Sequence, residues 1–188
     1  MRTLTLSGTV LGLLLLLATG ANIGAAADQS IQVVPLTRDG FVFVSFAVNG
    51  VVDQEMEQTI QSGLPTTFEY DVELRRQSAL WFDRSLGSVE VAATVRYDNL
   101  TRRYQISLQQ DGRVFETRPT DKAAEVREVV STFRRLPLFT TRQLSANTEY
   151  HIRVVGRTRP RRKWFLPFWD RPAAFGTAKF TFLREKGG

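Results

Sequence analysis

The sequence predicts a mostly β chain, an antiparallel β-sandwich of immunoglobulin-like or similar kind with two short helices. Three observations carry that prediction. Apolar and polar residues alternate with a two-residue period in several separate stretches. The stretches recur at roughly ten-residue spacing, as in sandwiches and barrels. Turn dipeptides such as Asp39-Gly40 and Asp111-Gly112 stand between them.

Taken in order, a first strand starts at Ile31–Pro35. Phe41–Val48 is a nearly continuous apolar run flanked by Asp39-Gly40 and Asn49-Gly50, which reads as a strand covered on both faces. Asp53 caps a short helix reaching Gln61, with Met56 and Ile60 on one face. Gly63 and then Pro65 stop it. Phe68, Tyr70, Val72 and Leu74 alternate with Glu69, Asp71, Glu73 and Arg75, so one face is buried and the other charged. Val89, Val91, Ala93, Val95 and Tyr97 repeat the pattern, and Tyr104, Ile106 and Leu108 do so again. Asp98-Asn99-Leu100-Thr101 is the hairpin loop between those two strands. Asp111-Gly112 leads into a strand over Arg113–Thr117.

Thr120 or Asp121 caps a second helix running to about Arg134. Its Val126, Val129, Val130 and Phe133 fall at i, i+3, i+4 and i+7, a single stripe suited to lying on a sheet or covering an open end. Tyr150, Ile152 and Val154 form another alternating strand, ending near Gly156. Phe180 and Phe182 mark the last, and the Lys186-Gly187-Gly188 tail frays.

The first 27 residues read as a cleavable export signal. Arg2 supplies a minimal charged start, Val10–Ala18 an apolar stretch with Leu13–Leu17 unbroken, and Ala25 and Ala27 the small residues before a cut ahead of Asp28. The competing reading is an uncleaved anchor, since Leu4–Ala27 approaches the roughly 20 apolar residues of a spanning helix. Ser7, Gly8, Gly12, Gly20, Asn22 and Gly24 interrupt that stretch. Residues 28–188 are one domain's worth of chain, enough to bury a core. The absence of cysteine excludes a lipoprotein anchor, structural disulfides and thiolate chemistry. The net charge of +6 falls by one when Arg2 leaves. A basic exported protein can meet anionic lipid or other polyanions, whereas a solvated surface with mild basic excess is the plainer account. Cytosolic nucleic-acid binding conflicts with the export signal.

The run from Gly63-Leu64-Pro65, through Leu80-Trp81-Phe82-Asp83-Arg84, to Arg96-Tyr97-Asp98-Asn99-Leu100-Thr101-Arg102-Arg103-Tyr104 resembles an exported bacterial family known only as domain of unknown function 4390. Its marks are an aromatic-Asp-Arg corner and a Tyr-x-x-Leu-Thr-Arg hairpin. The resemblance spans about Gln32 to Phe182 and implies a small periplasmic or envelope protein whose relatives are often encoded near a membrane sensor kinase. It brings no catalytic residues. Arg157–Ala174 fits the family pattern less well.

His151 is the only histidine and has the opposite parity to Tyr150 and Ile152, so it points outward. One histidine builds neither a legible triad nor a multi-histidine zinc site. Glu69, Asp71 and Glu73 share a strand face. Such a row can hold a hard cation or do glycosidase-like acid–base work, but cross-strand pairing with Arg96, Arg103 or Arg75 accounts for it more simply. Trp81 and Phe82 fill core or a corner, with Asp83 and Arg84 satisfying the turn; a binding role is the alternative, because Trp and Arg are common hot-spot residues. The sharpest candidate is the segment holding Arg157, Arg159, Arg161, Arg162, Lys163, Trp164, Phe165, Phe168, Trp169 and Arg171. Six cations flank four aromatics, and Pro160, Pro167 and Pro172 forbid a regular helix or central strand. It reads as a long excursion between strands, suited to a membrane interface or folded back as a lid on the sandwich.

The expectation is therefore a non-enzymatic exported sandwich that needs no cofactor or metal and works by binding. Its partner is an envelope protein or the ectodomain of a membrane sensor. The alternative is an anionic membrane surface or polyanion held through residues 157–172. A hydrolase using the acidic strand face ranks last.

Overall fold

The structure, a computed structural model, describes residues 30–76, 84–160 and 174–183. Nine strands and two α-helices are defined among them, in the order β1 (Ile31–Arg38), β2 (Phe41–Val48), α1 (Gln54–Gln61), β3 (Thr66–Arg76), β4 (Arg84–Asp98), β5 (Arg103–Gln110), β6 (Arg113–Thr120), α2 (Ala123–Ser131), β7 (Thr132–Thr140), β8 (Thr148–Pro160) and β9 (Ala174–Phe182). They form two antiparallel sheets, β1-β2-β7 and β6-β5-β4-β3-β8-β9, stacked as a sandwich. The fold class read from the alternation holds.

The two-residue period builds the core directly. Phe68, Tyr70, Val72 and Leu74 of β3 are buried, as are Val89, Val91, Ala93 and Val95 of β4, and Tyr150, Ile152 and Val154 of β8. From the smaller sheet, Val42, Val44, Phe46 and Val48 face them. Tyr70, Phe46 and Phe133 meet at the centre, with ring centroids 4.7–5.2 Å apart, so all three strands that supply them are tied into one aromatic cluster.

The turns follow from their glycines. In both Asp39-Gly40 and Asp111-Gly112 the two residues have positive φ, the geometry that lets a two-residue loop match the strand twist. Asp98 accepts from the backbone N–H groups of Leu100 and Thr101 at 2.8 and 3.2 Å, closing the β4–β5 hairpin. Asp53 caps α1 by accepting from the Met56 N–H at 2.8 Å, and Met56 and Ile60 are buried beneath it.

Three expectations are corrected. The second helix ends at Ser131, not near Arg134, and the chain passes at once into β7, a strand that the sequence reading leaves out. Phe133 is buried, but from that strand. The β8 strand runs on to Pro160, so Arg157 and Arg159 lie in the sheet, opposite Glu69 and Thr67, and the excursion begins later than Gly156. Finally, β2 is buried on its inner face only.

The smaller sheet covers part of the larger one. At one side β1 leans onto β8 and β9. Ser30 bridges Phe175, and Gly176 admits the approach: a Cβ there would sit 2.0 Å from the Ile31 carbonyl oxygen. At the other side α2 fills the gap over β5 and β6. Its Val126 and Val130 are buried, and the Tyr70 hydroxyl donates to the Val130 carbonyl at 2.6 Å. That carbonyl is in the last turn of α2, where no intrahelical donor reaches it.

Candidate functional site

Of the ten basic and aromatic residues singled out, Arg157 is placed together with its side chain. It is exposed on β8 and pairs with Asp71 of β3 at 3.1 Å. Arg159 is placed in the strand register. Arg161, Arg162, Lys163, Trp164, Phe165, Phe168, Trp169 and Arg171 lie outside the described residues, as do Leu80–Asp83 and the expected export signal at residues 1–27.

The acidic row on β3 is organised by arginines. Asp71 takes Arg157. Glu73 lies 3.8 Å from Arg153 of β8 and 3.8 Å from Arg75. The expected cross-strand pairing is present, though β8 supplies the main partners instead of Arg96 or Arg103. His151 lies on the face opposite the buried Tyr150 and Ile152, as its parity requires. Among the described residues no group of three or more His, Asp or Glu is arranged to hold a metal ion.

Two surfaces remain that pairing alone does not explain. The first is an open cleft of about 490 Å³ between α2, β7 and the strands β5 and β6. Leu108, Phe115, Val129 and Leu136 form its apolar wall. Its charged rim is satisfied internally: Arg118 bonds Glu116 and lies 3.6 Å from Glu125, while Arg134 lies 3.4 Å from Glu128. Glu116 and then Glu125 hold the Arg118 guanidinium more firmly in its charged form.

The second surface is the outer face of the three-stranded sheet. On β1 the outward positions are Gln32, Val34, Leu36 and Arg38, and on β2 they are Phe41, Phe43, Ser45 and Ala47. The register sets Leu36 beside Phe43 and Phe43 beside Pro137 of β7. Val34 is 62% exposed, Leu36 50% and Phe41 42%. The rings of Phe41 and Phe43 meet edge to face at 6.3 Å. A solvated sheet face is ordinarily polar, so this contiguous apolar surface is the exception that asks for a partner. Its signal in the sequence is the nearly continuous apolar run Phe41–Val48, which predicts burial on both faces. Only the sandwich geometry shows which side is open.

The class defined by this architecture is a two-layer antiparallel β-sandwich with an apolar outer face on its smaller sheet. The model of the family described as Domain of unknown function (DUF4390) matches residues 27–183, most of the chain, and the protein belongs to that family. No curated protein and no solved structure matches it. Among the described residues no helix is long and apolar enough to cross a membrane.

Proposed function

We propose that this chain is an exported protein of the periplasm or cell envelope that works as a non-enzymatic protein-interaction module. The observation that carries the reading is the open apolar face formed by Val34, Leu36, Phe41 and Phe43. Apolar area in contact with water favours association by about 25 cal/mol for each Å² removed. An envelope protein or the ectodomain of a membrane sensor is the partner of choice. The acidic strand gives little support to a hydrolase, because Asp71 and Glu73 already face arginines. Export rests on the pattern Val10–Ala18 followed by Ala25 and Ala27.

A photoreactive residue introduced at Leu36 or at Phe43, in the full chain expressed in cells, tests the reading. Discrete crosslinked adducts are expected from both positions and none from Gln105, which is exposed on the larger sheet. Equal labelling at all three positions overturns it. Cell fractionation with N-terminal sequencing tests export separately: the mature chain should begin at Asp28 outside the cytoplasm.

A further inference from the structure

We propose that the outer face of the three-stranded sheet receives the apolar stripe of an acidic amphipathic helix from the partner protein. This rests on the binding reading above and names the chemistry of its occupant. The strands β1, β2 and β7 carry Arg38, Arg134 and Arg135 and no carboxylate. Arg38 stands at the β1 edge of the apolar face. Arg135 is exposed at the β7 edge, where its backbone N–H bonds the outward Ser45 hydroxyl at 3.0 Å. It sits at a register shift with φ of 51°, a bulge of the kind that re-aims the side chains of a strand. Cations thus flank the apolar surface on both sides. The Arg38 partner, Asp39, belongs to the exposed turn at 3.0 Å, a kind of pair worth at most about 1 kcal/mol and easily exchanged for a partner carboxylate.

Three other occupants fit less well. Strand addition is hindered because β1, β6 and β7, three of the four sheet edges, contain Pro35, Pro119 and Pro137, each lacking an N–H donor. A second copy would offer four arginines at the flanks, Arg38 and Arg135 from each chain, against Asp39 alone from each turn. A bilayer interface favours Trp and Tyr, and these three strands contain neither. A helix satisfies the geometry. The eight residues of β2 span about 26 Å at 3.3 Å each, which about 18 helical residues match. Leucines at i, i+3, i+4 and i+7 would cover Leu36, Phe41 and Phe43, with glutamates on both flanks reaching Arg38 and Arg135.

The test is an NMR titration of the isotope-labelled chain with two synthetic 18-residue amphipathic peptides that share a leucine stripe, one flanked by Glu and one by Lys. Amide shifts confined to β1, β2 and β7 are expected, with the Glu peptide binding at least about tenfold tighter. Leu36→Thr with Phe43→Thr should abolish binding while the amide spectrum of the six-stranded sheet stays in place, because both positions face away from it. Equal affinity for the two peptides overturns the proposal. So does salt-sensitive binding of anionic vesicles through the same face, or concentration-dependent shifts without peptide, which would assign the face to lipid or to a second copy. No shift with either peptide overturns the helix assignment alone, since the crosslinks at Leu36 and Phe43 decide the broader reading independently.

Discussion

Tyr70 ties the larger sheet to α2 through a single polar atom. Its ring belongs to the central aromatic cluster, and its hydroxyl satisfies the Val130 carbonyl. Burial pushes the phenol above its ordinary pKa, so it remains a neutral donor throughout the accessible range. Tyr70→Phe keeps the ring and leaves a buried carbonyl without its partner. The expected loss is about 1–3 kcal/mol, read from chemical denaturation, and an unchanged midpoint would show that water replaces the hydroxyl. Asp98 acts at the same scale but at the surface. The backbone N–H groups of Thr101 and Leu100 hold its carboxyl below the usual aspartate range. A carboxyl depressed in the folded state stabilises the hairpin above the unfolded pKa, and that contribution disappears as pH falls through the lower folded value. The amide resonances of Leu100 and Thr101 should therefore titrate with a midpoint below that of a free aspartate, and Asp98→Asn should abolish the titration. A midpoint at the free value would refute the turn assignment.

Elements whose signals are local were legible in the sequence. The Asp-Gly hairpins, the Asp53 cap and the alternation of β3, β4 and β8 depend on residues a few positions apart, and each is found where the pattern puts it. Strand β7 was not legible. Its Arg134-Arg135 bulge and Pro137 break the two-residue period, and its partner β2 is remote in the chain. The preceding helical stripe then claims Phe133, which only the fold assigns to a strand. The candidate face was half legible for the same reason: a continuous apolar strand announces two apolar faces, but which one is covered depends on what stacks upon it.

Close approach of β1 to β9 depends on Gly176, where an added methyl group would collide with the Ile31 backbone and not with a flexible side chain. Gly156 beside it leaves room for the Tyr70 ring, 3.2 Å from where a Cβ would stand. Gly176→Ala should therefore cost at least about 1–3 kcal/mol and raise amide exchange in β1 before β3 or β4. Uniform exchange across both sheets would mean that β1 docking is not a separable unit.

At the scale of the whole molecule, the order of the strands governs how the sandwich assembles. The small sheet pairs Phe46 with Phe133, and the large sheet pairs Thr66 with Pro160. Each of these joins segments separated by about 90 residues, and such non-local pairing slows folding because loop closure precedes any gain from contact. The β1–β2 hairpin forms early in the chain but cannot complete its sheet until β7 exists, and β7 itself follows directly on α2. Stopped-flow refolding should accordingly fall in the millisecond-to-second range typical of sandwiches. Phe133→Leu should slow refolding if the central ring cluster belongs to the nucleus, and should chiefly speed unfolding if it forms late. Microsecond refolding would contradict the topological argument.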